Sequence, residues 1–219
     1  PEFTMLEWYA VGADSEMLRR EMEELVMHVQ RHEDVPCPLP PPPWERLTMA
    51  QAFSRWAGVD DLHAGAAELL RQAGLLVRDM TWEEAFFTVF VEKLEPRLGG
   101  ENPVFLTEWP ASMASLARLM PHDPTVADRF ELYAGSLELA NGFGELLDAS
   151  LQRARSLADM EERRARGLPL YPLDERFLGA LAEGCPPVSG VALGLDRLVM
   201  LWWGAGHIRQ VLAFSRDEL

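Results

Sequence analysis

The stretch from Gly190 to Trp202, GVALGLDRLVMLW, limits the possible folds more than any other part of this chain. Read as a strand over 190–196, it turns Val191, Leu193 and Leu195 to one side and Gly190, Ala192 and Gly194 to the other, because strand side chains alternate. One side needs a core beneath it. The other is nearly bare, and glycines weaken a strand unless a ligand or another backbone must come close there. Without a linker the chain then enters a helix in which Leu198, Leu201 and Trp202 have core spacing. The pattern calls for a sheet backed by helices on one side and approachable on the other. Arg197, at the start of that helix, has two open readings. Its guanidinium can lie over the bare floor, where a planar cation stacks on a base and reaches phosphate oxygens. Alternatively it pairs with a surface acid, and the small residues serve close packing of helix on sheet.

The rest of the chain supplies the other layers. FTMLEWYAV, residues 3–11, reads as a strand, and Asp14 is placed to cap a helix over 15–32 whose apolar side carries Met17, Leu18, Leu25, Val26 and Val29. VPCPLPPPPW, residues 35–44, is too rich in proline for a helix or a central strand and predicts an extended spacer. Thr48 with Gln51 and Thr81 with Glu84 have capping-box spacing, so 45–98 is expected to be a small helical insert packed through Trp82, Phe86, Phe87, Phe90 and Leu94. After Gly99-Gly100 the pieces VFLTEW (104–109), RFELYA (129–134) and LELANG (137–142) read as strands, and a charged helix follows over 145–166. This order predicts an α+β fold, an antiparallel sheet flanked by helices. Its parts are a strand and helix over 1–34, the spacer over 35–44, the insert over 45–98 and the remainder over 99–219.

Charge narrows the partners. The formal charge of −15 disfavours docking on the phosphate lattice of a long nucleic acid, so tRNA is not expected as a partner. A nucleotide is still compatible, because a metal ion and a few local arginines suffice to hold one. Cys37 and Cys185 have no metal-type spacing and fit free thiols in a reducing cytoplasm. No apolar run nears the length of about 18 residues that spans a bilayer, so no membrane association is expected. The last four residues, Arg216-Asp217-Glu218-Leu219, are similar to a retrieval signal of the endoplasmic reticulum. With no signal-peptide pattern in PEFTMLEWYA, that reading is set aside.

Candidate chemistry sits in FELYAGSLELANGFGELLDA, residues 130–149. If Gly135-Ser136 is a two-residue turn, Ala134 pairs with Leu137, Tyr133 with Glu138 and Glu131 with Ala140. Glu131, Tyr133 and Glu138 then share a face, with the two carboxylates as diagonal neighbours. Like charges so close are tolerated on a wet face, with one acid protonated, or with a hard cation such as magnesium between them. Asn141, Gly142 and Glu145 follow, an amide and a third acid beside two glycines, Gly142 and Gly144, that let a ligand approach the backbone. The same residues equally suit a turn leading into a helix capped by Asn141. On the first strand Phe3, Glu7 and Tyr9 share a face, an aromatic plate, an acid and a phenol suited to a ring and an amine.

Three of these stretches, in order, resemble the catalytic domain of the class II aminoacyl-tRNA synthetases, in their lysine branch. PEFTMLEWY is similar to the second strand of motif 2, ELANGFGEL to the lysine-pocket signature and SGVALGLDRLVML to motif 3. ARGLPLYPLD and SGVALGLDRLVML look most like the paralogue of lysyl-tRNA synthetase that modifies elongation factor P. The resemblance implies that fold and an ATP- and magnesium-dependent activation of lysine, preferably (R)-β-lysine, as an adenylate. It further implies transfer to a lysine side chain of elongation factor P, and a homodimer for the full-length protein.

Carried over by position, Phe3 and Arg197 would stack on adenine from two sides, with Arg197 also near the γ-phosphate as the catalytic residue and Gly194 among the ATP contacts. Glu131 and Glu138 would bind the ATP-associated magnesium. Glu7, Tyr9, Asn141 and Glu145 would bind lysine, Tyr9 and Glu145 at its distal ammonium. Ala192 stands where lysyl-tRNA synthetases usually carry glycine and would reshape the space around the substrate's amine. Motif 1, the usual dimer element, and the first strand of motif 2 with its arginine are not in these 219 residues. Adenylate formation by this polypeptide alone is therefore expected to be absent or nearly so, one lost donor of that kind costing about a hundredfold or more. Two other readings stay open: a lysyl-tRNA synthetase catalytic fragment, and a non-catalytic protein that has kept the lysine pocket.

Overall fold

A computed structural model describes residues 2–100 and 102–214, so the C-terminal tetrapeptide lies outside the described residues. The elements run β1 (Met5–Val11), α1 (Ser15–His32), β2 (Glu45–Thr48), α2 (Met49–Ala57), α3 (Ala66–Gln72), α4 (Trp82–Val89), β3 (Val104–Pro110), β4 (Leu119–Met120), β5 (Asp123–Ala134), β6 (Leu137–Gly144), α5 (Ala149–Ala165), α6 (Glu175–Glu183), β7 (Val188–Gly194) and α7 (Leu195–Trp203). The strands form a sheet in the order β1-β7-β6-β5-β3-β2, with β4 paired to β5 off that path. All pairings are antiparallel except β2 with β3. The expected α+β fold is what forms. Among the described residues no helix is long and apolar enough to cross a membrane.

The two faces of the sheet are covered differently. On one, Leu18, Met22 and Val26 of α1 and Leu198 and Trp202 of α7 pack on Phe105, Phe130, Leu132, Ala140, Val191 and Leu193. Each such side chain, fully buried, contributes about 1.5–3 kcal/mol, and this cluster is what the apolar side of the 190–194 stretch requires. On the other face, α2, α3 and α4 supply Phe53, Leu69, Phe86 and Val89, which pack on Val104, Leu106, Trp109 and Tyr133. That helical cluster contains no residue of β6, β7 or β1. The second face is thus roofed over β3 and β5, whereas Glu7 and Tyr9 beyond them are exposed.

Local signals act as read. The Asp14 side chain accepts from the Met17 N–H at 2.8 Å to start α1. Thr48 with Gln51 and Thr81 with Glu84 both close reciprocal capping boxes. Residues 35–44 contain no helix or strand, and Trp44 at their end is buried against Phe105. Several boundaries differ from expectation. The run from 45 opens with β2, a strand held by β3, before its helices begin. The helix expected from 145 starts at Ala149, because Asp148 accepts from the Ser150 and Leu151 N–H groups. The strand expected to 196 ends at Gly194, so Leu195 falls in a helical turn and is exposed instead of joining Val191 and Leu193. Met17 and Phe87 are exposed too, each one position off its helix's buried stripe.

Candidate active site

The hairpin between β5 and β6 builds the site. Gly135 and Ser136 both have positive φ, 56° and 64°, the left-handed pair that matches the twist of the flanking strands. Ala134 pairs with Leu137 and Tyr133 with Glu138, as expected. The register then slips, pairing Leu132 with Ala140 and Glu131 with Asn141. The expected Glu131–Ala140 pair is corrected by one extra residue on β6, a bulge that lets Leu139 and Ala140 both bury on the α1 side. Its consequence is chemical: Asn141 shares the face of Glu131, Tyr133 and Glu138, where an unbroken ladder would have turned it into the core.

Strand pairing carries this face across the sheet. One row runs Glu131–Asn141–Ala192–Glu7 over β5, β6, β7 and β1, and the next runs Arg129–Phe143–Gly190–Tyr9. Beyond the first row on its other side, Met5 pairs with Gly194 at the start of α7. Such rows are roughly 7 Å apart, two residues along a strand.

At the α7 end, the Thr4 N–H donates to Asp196 Oδ2 at 2.6 Å and the Leu195 N–H to the Thr4 carbonyl at 3.0 Å, which seats the exposed Phe3 beside the first turn of α7. Arg197 donates from Nη1 to the Glu138 carbonyl at 2.7 Å and lies 3.7 Å from Glu138 Oε2. Its stem passes 3.6 Å from where a Cβ on Gly194 would stand. Arg197 thus pairs with an acid, as its second reading has it, while its stem lies beside Gly194.

Glu131 is buried, accepting from Arg129 Nη2 at 2.6 Å and from the Tyr133 hydroxyl at 2.5 Å. Burial raises its carboxyl above the usual range against the pull of Arg129, and the charge of Glu138 raises it further. Burial also raises the Tyr133 phenol, with Glu131 adding to it. Glu131 and Glu138 thus act on one another across the face. Among the described residues no group of three or more His, Cys, Asp or Glu could hold a metal. Two carboxylates nonetheless fit magnesium, which takes one or two and leaves its other positions to water and phosphate oxygens. Arg129 was not singled out from the sequence, although alternation alone places it on the face of Glu131.

At the other end, Glu145 lies just past β6, its N–H bonded to the Val188 carbonyl at 3.1 Å and its backbone bridged to Ala117. Burial pushes its carboxyl up to about 7, with Arg118 pulling the other way. The Tyr9 phenol is raised first by the charge of Glu145, then by burial and by Glu7. Asn141 Oδ1 is buried and receives no hydrogen bond, which leaves an acceptor in want of a donor. Two hollows, of about 910 Å³ between α5, α6 and residues 111–116 and of about 610 Å³ beside His63 and Asp123, are lined by none of the candidate site residues on this face of the sheet. The candidate site is an open stretch of sheet, and the chemistry of its side chains, not enclosure, marks it.

Residues 1–218 match the family described as tRNA synthetases class II (D, K and N). Proteins named elongation factor P–(R)-β-lysine ligase from Salmonella dublin and from Klebsiella pneumoniae subsp. pneumoniae are each 43% identical over 227 residues, covering 100% of this chain and 66% of those proteins. The chain thus spans just under two thirds of the length of these relatives. With motif-like stretches that fold into one face of an antiparallel sheet, the chain belongs to the class II tRNA synthetases of the D, K and N group.

Proposed function

We propose that the open half of the sheet takes ATP with magnesium at its α7 end and lysine at its Glu145 end, a site for the activation of lysine as an adenylate and its transfer to a lysine of elongation factor P, with these 219 residues alone supplying the binding and little of the chemistry. The observation that carries this reading is the row Glu131–Asn141–Ala192–Glu7, which lies between Phe3, Gly194, Arg197 and Glu138 on one side and Tyr9 and Glu145 on the other. A nucleotide and an amino acid entering from opposite ends meet over the middle row, and being held together there lowers the barrier to joining them. Phe3 and Arg197 would hold the adenine between them, with the Arg197 charge beside the phosphates. Glu131 and Glu138 would hold the magnesium, which when bound offsets the charge on the phosphate oxygens.

The amine end suits a cation. Ionised Glu145 and the Tyr9 hydroxyl would take the distal ammonium in charge-assisted hydrogen bonds. Asn141 Oδ1 would accept from the second amine, near Glu7. The methyl of Ala192, between Glu7 and Asn141, narrows the middle of the site and favours an amine displaced by one carbon, as in (R)-β-lysine. The names of the relatives point to the same substrate and acceptor.

Norleucine keeps the length of lysine and lacks its distal amine, so it isolates the Tyr9–Glu145 contact. In calorimetric titrations with magnesium and a non-hydrolysable ATP analogue, lysine or (R)-β-lysine is expected to bind about 10- to 100-fold more tightly than norleucine, the worth of one hydrogen bond to a charged group. Equal affinity for norleucine would remove the lysine reading.

A further inference from the structure

We infer that Gly190 is a specificity-determining residue: its missing side chain lets the Tyr9 ring and the Glu145 carboxylate close together on the floor of the amine end, and so sets how long an amine the site accepts. This rests on the lysine reading above and adds to it a residue given no part there in holding ATP or metal. Gly190 sits in β7, paired with Tyr9 on one side and with Phe143 on the other. Its φ is not in the left-handed region, so backbone conformation does not explain the glycine. A Cβ there would stand 2.7 Å from Glu145 Oε1, 2.7 Å from Tyr9 Cδ1 and closer still to Tyr9 Cε1. The space of the absent side chain is filled by the two groups assigned to the ammonium.

Neighbouring glycines are used differently. A Cβ at Gly142 would strike the Phe130 ring, which is core packing on the opposite face. A Cβ at Gly194 would meet only ordinary contacts, with the Leu139 carbonyl and the stem of Arg197. At Gly190 the obstacles are side-chain atoms only, the edge of the Tyr9 ring and the tip of Glu145, and Tyr9 is 69% exposed and free to swing outward. A methyl would therefore push the phenol and the carboxylate apart while the strand stays in place. Tyr9 is faced by Glu145, Glu7 and Cys185, and Glu145 by Arg118 and Tyr9. Of these, Glu145 acts most strongly on the phenol, so separation from it is directly readable. A raised floor also shortens the site, which disfavours lysine more than ornithine, an amine one methylene shorter.

The test is Gly190→Ala, read in two ways. Without ligand, NMR of tyrosine labelled at the phenolic carbon follows the Tyr9 titration, which is expected to move down toward the ordinary phenol value as Glu145 withdraws. With ligand, calorimetry of L-lysine and L-ornithine is expected to show lysine affinity falling about tenfold or more and the lysine-to-ornithine preference falling with it, the size of one weakened charge-assisted contact. The double variant G190A/E145D, whose shorter carboxylate clears the new methyl, is expected to regain part of that preference. An unmoved Tyr9 titration, or equal losses for both amines, overturns the assignment of Gly190 while leaving the lysine reading intact. No lysine binding by the unaltered chain overturns both.

Discussion

Glu145 governs how this protein should respond to pH. In the unfolded chain its carboxyl ionises near the ordinary 4.5, whereas in the fold burial holds the proton until about 7. Its contribution to stability is thus fully present below about pH 4.5 and is lost as pH rises through about 7. Binding runs the opposite way, because only ionised Glu145 pairs with an ammonium. Lysine affinity is expected to rise from about pH 6 to pH 8, and Glu145→Gln should flatten that rise and weaken binding at pH 8 by about tenfold or more. Calorimetry across this range checks the binding, and thermal midpoints of the unaltered and Glu145→Gln proteins from about pH 5 to 7.5 check the stability. A midpoint difference between them that does not change with pH would contradict the raised carboxyl.

The β5–β6 hairpin shows what local sequence determines at the scale of an element. Ser136 is held at φ 64°, a conformation that is unfavourable for a residue with a Cβ by about 1–2 kcal/mol. Ser136→Gly relieves that strain, partly offset by the added freedom of the unfolded chain, and is expected to stabilise the protein by about 0.5–1 kcal/mol. A thermal melt should move up by roughly 1–4 °C; a downward shift would show that the turn is not of the left-handed type. This turn, both capping boxes, α1 and the bare side of β7 were all legible beforehand because each is written in residues a few positions apart. The bulge beside Leu139 was not, since alternation has no mark for an extra residue when both candidates are apolar. For the same reason β2 was read into the insert: four residues become a strand only because β3 lies next to them.

At the scale of the whole molecule, the site exists because strand order brings opposite ends of the chain together. β1 pairs with β7, and β7 with β6, so Glu7 and Tyr9 come within one face of Asn141 and Glu131. Alternation placed each acid on the correct side of its own strand, but beyond the β5–β6 hairpin it does not tell which strands are neighbours. Contacts that depend on packing alone stayed hidden. Arg118 reaches the buried Asp128 from Nη2 at 2.8 Å, and the Ser15 hydroxyl bonds to the same carboxylate; no spacing in the sequence announces that trio, although Arg118 acts on Glu145. The helices of the insert finish the architecture by covering β3 and β5 and stopping short of β6.

A crystal structure of the chain with L-lysine or (R)-β-lysine, magnesium and a non-hydrolysable ATP analogue tests the two-ended site most directly. The expected result has adenine between Phe3 and Arg197, the metal between Glu131 and Glu138, and the distal ammonium within about 3 Å of the Tyr9 hydroxyl and Glu145. Amino acid bound in the hollow between α5 and α6, or nucleotide bound away from Arg197, would contradict it.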